Sequence, residues 1–279
     1  MEKTYIQKAF DLFDAIKGLE EQYPQTYDSL EKFVDYIKDE FEDPFTVEDD
    51  NEANLEDLAY YLTEDDKDKE MHPEVAKYLI DYFTYSISQG SGASACTLGA
   101  MYYNGRGVEK DYLKAIELYE LSASRGNVDA VENLGYCYYY GRDGKVDYKK
   151  AFEYFTKASV AGSLNATYKI GDMYKNGYYV EKDENWAFRV YDNLYSIIMD
   201  ADDDIYDDVG GPLLFRVAEC YHNGIGVKKD EKIALHYYNK AEMLLIKKII
   251  NGGVHLKGTL SALQKSQNEA KLIVLDEIM

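Results

Sequence analysis

Apolar residues recur at intervals of three and four along most of the chain, the spacing that lines one face of an α-helix. Ile6, Phe10, Phe13 and Ile16 predict a first amphipathic helix, and Leu30, Phe33, Ile37 and Phe41 a second, with Pro24 and Pro44 as punctuation. Leu256, Leu260, Leu263, Ala270 and Val274 predict a last one. Between these ends the same spacing returns in shorter blocks, for example Ala130, Leu134, Cys137 and Tyr138.

The blocks repeat. Gly99, Gly135 and Gly171 stand 36 residues apart, as do Gly105, Gly141 and Gly177. Aligned on them are Leu98-Gly-Ala-Met-Tyr-Tyr-Asn-Gly105, Leu134-Gly-Tyr-Cys-Tyr-Tyr-Tyr-Gly141 and Ile170-Gly-Asp-Met-Tyr-Lys-Asn-Gly177. A fourth copy, Val217-Ala-Glu-Cys-Tyr-His-Asn-Gly224, follows 47 residues on. The surplus of 11 coincides with an Asp-rich run (Asp200, Asp202, Asp203, Asp204, Asp207, Asp208) and Gly210-Gly211, which marks an insertion. The later half of each copy aligns as well, at Asp111, Asp147, Asp183 and Asp230, at Ala115, Ala151, Ala187 and Ala234, and at Tyr119, Phe155, Tyr191 and Tyr238.

Each column has a physical reason. A glycine of the Gly105 type ends the first helix in the left-handed conformation. The aspartate caps the next helix, its carboxylate accepting from free backbone N–H groups. The Gly99-type glycine and the alanine let two antiparallel helices approach closely, and the aromatic fills the groove beside them. The unit is an αα-hairpin repeated in series.

The string Leu-Gly-x-x-Tyr-x-x-Gly-x-Gly-Val-x-x-Asp-x-x-x-Ala over residues 98–115 resembles the Sel-one-like repeat (SLR), a relative of the tetratricopeptide repeat. Residues 134–151, 170–187 and 217–234 match with losses: Tyr179 stands where Gly107 does in the first copy, Ile198 where Gly126 closes its second helix, and Ala218 replaces the glycine. Phe83 and Gly90, 36 before Tyr119 and Gly126, together with Pro73, point to a degenerate earlier unit. The resemblance implies an all-α, right-handed α/α solenoid that binds proteins and has no catalytic residues of its own. The divisions expected are an acidic helical extension (1–50), a degenerate repeat or cap (51–90), the solenoid (91–250, with repeats near 91–126, 127–162, 163–209 and 210–250) and a capping helix (251–279).

On the first helix of each repeat, the Ser94, Leu98, Met101 and Tyr102 columns form the core side. The opposite side carries Cys96, Ala100 and Tyr103, then Glu132, Tyr136 and Tyr139, then Tyr168, Asp172 and Lys175, then Phe215, Glu219 and His222. In the related solenoids the first helices line the concave face, so the resemblance makes this the inner surface. Tyrosine supplies rigid contact area with a polar tip, and the stripe reads either as a partner-binding surface or as rings that neighbouring repeats bury against each other.

Composition narrows the partner. The net charge is −21, and residues 1–72 hold 23 acidic against 7 basic side chains. That balance argues against nucleic acid and anionic membrane and favours a basic or mixed-charge protein segment. The start of the chain shows no secretory leader and no apolar run approaches membrane-spanning length, while three cysteines fit a reducing compartment, so a cytoplasmic protein is expected. No cofactor and no metal are expected. Asp200-Ala-Asp202-Asp-Asp204 fails as a calcium loop at Ile205 and Gly211, and Cys220, His222 and His236 match no standard zinc spacing. The alternative to a non-enzymatic adaptor is an inhibitor whose acidic N-terminal region blocks a basic partner.

Overall fold

The computed structural model describes residues 4–40, 52–64, 71–199, 203–250 and 256–278. Thirteen helices and no strand occur among them. The chain divides after Ala130 into two compact units.

The first unit holds α1 (Tyr5–Ile16), α2 (Pro24–Glu40), α3 (Glu52–Glu64), α4 (Pro73–Ser88), α5 (Gly92–Asn104) and α6 (Tyr112–Ser124). Thr4 and Gln7 close a reciprocal cap at the start of α1, and Pro73 occupies the first turn of α4. One core runs through the unit: Ile6, Ile16, Leu30, Ile37, Leu55 and Leu62 are buried together with Leu79, Tyr82, Phe83, Leu98 and Leu118. The helices before residue 65 therefore share their core with the hairpins that follow. Phe41, Pro44 and the boundary at residue 50 lie outside the described residues.

α7 (Val128–Tyr139) opens within the first unit and continues into the second. The second unit goes on through α8 (Tyr148–Val160), α9 (Leu164–Asn176), α10 (Glu184–Met199), α11 (Asp203–Asn223), α12 (Glu231–Ile250) and α13 (Lys257–Ile278). From α8 on, each helix packs on the next, the order of an α/α solenoid. The insertion falls in α10 and α11, which run to 16 and 21 residues, and α12 has 20. Asp200, Asp202 and His255 lie outside the described residues.

The repeat columns do what their chemistry requires. Asp111, Asp147 and Asp183 each accept from the backbone N–H three residues on, at 3.0, 3.0 and 2.8 Å, and Asp230 accepts from Lys232 and Ile233, both at 3.0 Å. Gly105 ends α5 at φ +73 and Gly177 ends α9 at φ +70. A Cβ on Gly99, Gly135 or Gly171 would stand 2.9, 2.6 and 2.6 Å from the rings of Tyr119, Phe155 and Tyr191. Ala115, Ala151, Ala187 and Ala234 are fully buried. Leu263 and Ala270 of α13 bury against α11 and α12.

Candidate functional site

The second unit gathers charge and aromatic rings where α7, α9 and α11 meet. Asp172 of α9 is almost completely buried. Arg216 of α11 grips it with two bonds, Nε to Oδ1 at 2.6 Å and Nη2 to Oδ2 at 2.6 Å. Tyr191 of α10 donates its hydroxyl to Oδ1 at 2.8 Å, and Lys169 Nζ lies 3.4 Å from Oδ2. A third guanidinium bond runs from Nη1 to the Pro212 carbonyl at 2.9 Å. A proline at 212 lies inside α11, and this bond is made one turn on within that helix.

Burial acts against both charges, but their contact outweighs it. Asp172 is held well below the usual carboxylate range by Arg216 and then Lys169, and Arg216 is held above its ordinary value by Asp172. Lys169, one turn from Asp172, is lowered by burial. Burial also pushes the Tyr136, Tyr139, Tyr168 and Tyr191 hydroxyls up, so all four keep their protons at neutral pH.

The rings enclose these cations. Arg216 stacks 4.4 Å from the Tyr168 centroid, and Lys169 lies 5.6, 5.3 and 5.9 Å from the centroids of Tyr136, Tyr139 and Tyr168. Tyr136 stacks on Tyr140, and Tyr139 meets Tyr140, Tyr148 and Tyr178 edge-on. Tyr148 and Tyr178 stack face to face at 4.3 Å. Exposure rises outward: Tyr168 and Lys169 form a buried floor, Tyr136 and Tyr139 are half-buried, and Tyr140 is 49% exposed.

Of the residues expected on the partner-binding stripe, Tyr136, Tyr139, Tyr168, Asp172, Lys175 and Glu219 meet here, with Lys175 and Glu219 3.5 Å apart. Glu132 accepts from Ser163, the cap of α9, at 2.5 Å. Phe215 and His222 turn toward Tyr238 of α12, and His222 Nδ1 is 2.5 Å from Glu231 Oε2, whose other oxygen is 2.9 Å from Lys229. Tyr103 belongs to the first unit, its ring edge-on to Tyr112. Asp172 and Tyr168 thus form the floor rather than the outer surface.

Lys169, Arg216, Tyr191, Tyr140, Tyr148 and Tyr178 were missed by sequence reasoning. A signal existed for two of them. Two positions before the Gly99-type residue, the copies read Thr97, Asn133, Lys169 and Arg216. The column turns basic in the copies next to Asp172, where the first two copies have Ala100 and Tyr136.

Burial pushes the Cys137 and Cys220 thiols up to about 12, which makes them inert core filling. His236 lies edge-on to Tyr237. No cluster of metal-ligating side chains occurs among the described residues. No described helix is long and apolar enough to cross a membrane.

Comparison with known proteins identifies the repeat. The family model for the Sel1 repeat matches residues 93–127, 128–163, 164–189 and 213–244, skipping the lengthened ends of α10 and α11. No curated protein matches the chain. Among solved structures, a Sel1 repeat protein from Oxalobacter formigenes is 25% identical, with a TM-score of 0.52 over 68% of this chain and 72% of that one. A protective antigen of uropathogenic Escherichia coli strains, displaying an SLR fold, is 20% identical with a TM-score of 0.52. It aligns over 78% of this chain and 46% of its own length. Four segments of the chain are thus Sel1 repeats, each with its capping aspartate and its groove aromatic in place.

Proposed function

We propose that the chain is a non-enzymatic adaptor that holds a segment of a partner protein on the α7–α9–α11 face of its second unit. Sel1 repeats are in general a protein-interaction fold, which supports the class of function. One observation carries the choice of face. Tyrosines of graded exposure stand over a floor that the Arg216–Asp172 pair locks in place. Rigid rings lose little entropy on binding, and their hydroxyls remain donors. Tyr139, Tyr140, Tyr178, Lys175 and Glu219 are the contact residues, and both signs of charge suit a mixed-charge segment. Asp172, Tyr168 and Lys169 position them.

The test is site-specific photo-crosslinking in native lysate. A crosslinker at position 140 is expected to capture a partner that the same group at Val160, 86% exposed on α8, does not. With that partner purified, Tyr140→Ala should weaken binding about tenfold or more, roughly 1.4 kcal/mol, at unchanged melting temperature. Equal capture at both positions, or unchanged affinity in the variant, would remove this face from the function.

A further inference from the structure

We propose that the groove between α2 and α3, in the first unit, is a second docking surface, and that its occupant is a basic amphipathic segment of a partner protein seated by one apolar side chain. Phe33 and Leu58 form the floor of a cavity of about 420 Å³, and Tyr36 and Tyr61 stand at its rim, 44% and 56% exposed. That volume falls within the span of pockets that enclose a bound group, roughly 300–1,000 Å³. Two large aromatics left half in solvent over an apolar floor mark a contact surface.

Charge selects the occupant. By sequence α2 carries five acidic residues against two lysines, and α3 carries four acidic residues and no basic one. Both lysines of α2 are matched within the helix, Lys32 to Asp28 at 2.7 Å and Lys38 to Asp35 at 3.9 Å. The groove wall itself carries one charge of each sign, Asp57 and the Asp28-paired Lys32. The excess acid of the two helices around it repels an acidic segment or a nucleic acid and draws in lysine and arginine. Tyr36 and Tyr61 also offer ring faces on which such cations stack. An uncharged apolar peptide would use the floor but none of this field.

The experiment uses the full chain and fluorescence anisotropy. The probe is a labelled lysine–leucine peptide of about 15 residues patterned as an amphipathic helix. Its controls are a scramble of the same composition and a glutamate–leucine version. The patterned lysine peptide is expected to bind at least about tenfold tighter than the scramble, and the glutamate peptide not at all. Tyr36→Ser with Tyr61→Ser should remove that preference, and Asp57→Lys, at an exposed wall position, should weaken binding without touching the rings. Tyr140→Ala should leave it unchanged, which separates this groove from the face on the second unit. Equal binding of patterned and scrambled peptides overturns the proposal, as does binding that survives both groove variants. Concentration-dependent self-association abolished by the same variants also overturns it, by making a second copy of the chain the occupant.

Discussion

Arg216 and Asp172, 44 residues apart in sequence, hold each other through two parallel 2.6 Å bonds that tie α11 to α9. A buried pair of this kind adds little net stability, because desolvating two charges offsets their attraction. Removing one member is different, since it strands the other. Arg216→Met should cost about 3–5 kcal/mol, and Asp172→Leu with Lys169→Met and Tyr191→Phe in the same chain, which removes every polar partner of the carboxylate, should recover most of that loss. Urea unfolding of the single and combined variants checks it. A combined variant no more stable than Arg216→Met would mean that the ion pair itself, not the stranded carboxylate, sets the cost.

The same pair gives stability a pH dependence of definite sign. Burial alone would raise the Asp172 carboxyl, yet Arg216 and Lys169 hold it below its unfolded value, about 3.9. A group lowered on folding contributes stability above its unfolded pKa and loses it as the pH falls toward the folded one. The difference in urea midpoint between the native chain and Arg216→Met should therefore be largest near neutrality and shrink below about pH 4. A difference that is constant from pH 7 to pH 3 would sink this assignment.

Tyr179 and Gly226 occupy the same place in successive repeats, and both have left-handed backbone, φ +68 and +66. Their surroundings differ. A Cβ on Gly226 would stand 2.1 Å from the Glu184 carbonyl oxygen, whereas Tyr179 is 53% exposed with its ring against Phe152. Gly226→Ala combines backbone strain with a clash and should cost about 2–5 kcal/mol. Tyr179→Gly relieves strain of about 1–2 kcal/mol but loses a ring contact of similar size, so it should stay within about 1 kcal/mol of the native chain. Thermal unfolding of both variants is the measurement.

The hairpins were legible because each depends on residues with one purpose. A capping aspartate, a left-handed glycine and a missing Cβ leave marks at fixed spacing. The α7–α9–α11 face was legible only as a stripe. Lys169 and Arg216 sit one position away from columns assigned to contact, and a comparison of columns by polarity alone does not show that Asp172 takes one cation from its own helix and one from α11. Tyr140, Tyr148 and Tyr178 come from helix ends and loops, where periodicity has no grip. The lengthening of α10 and α11 was visible as a surplus of residues, but not as extra helical turns.

The sharpest test of the hairpin geometry is Gly135 against Phe155. In the wild-type chain the Phe155 ring edge lies where a Gly135 Cβ would reach, at 2.6 Å, and the ring is fully buried. Gly135→Ala must push the ring or part the helices, which should cost about 1–3 kcal/mol even though alanine favours the helix by about 1 kcal/mol. Phe155→Leu alone should also destabilise, by leaving space beside Gly135. Together the two changes should cost less than the sum of the singles, because leucine vacates what the methyl fills. A coupling of about 1 kcal/mol or more in a double-mutant cycle is expected. Strict additivity would show that the glycine is kept for some reason other than the approach of this ring.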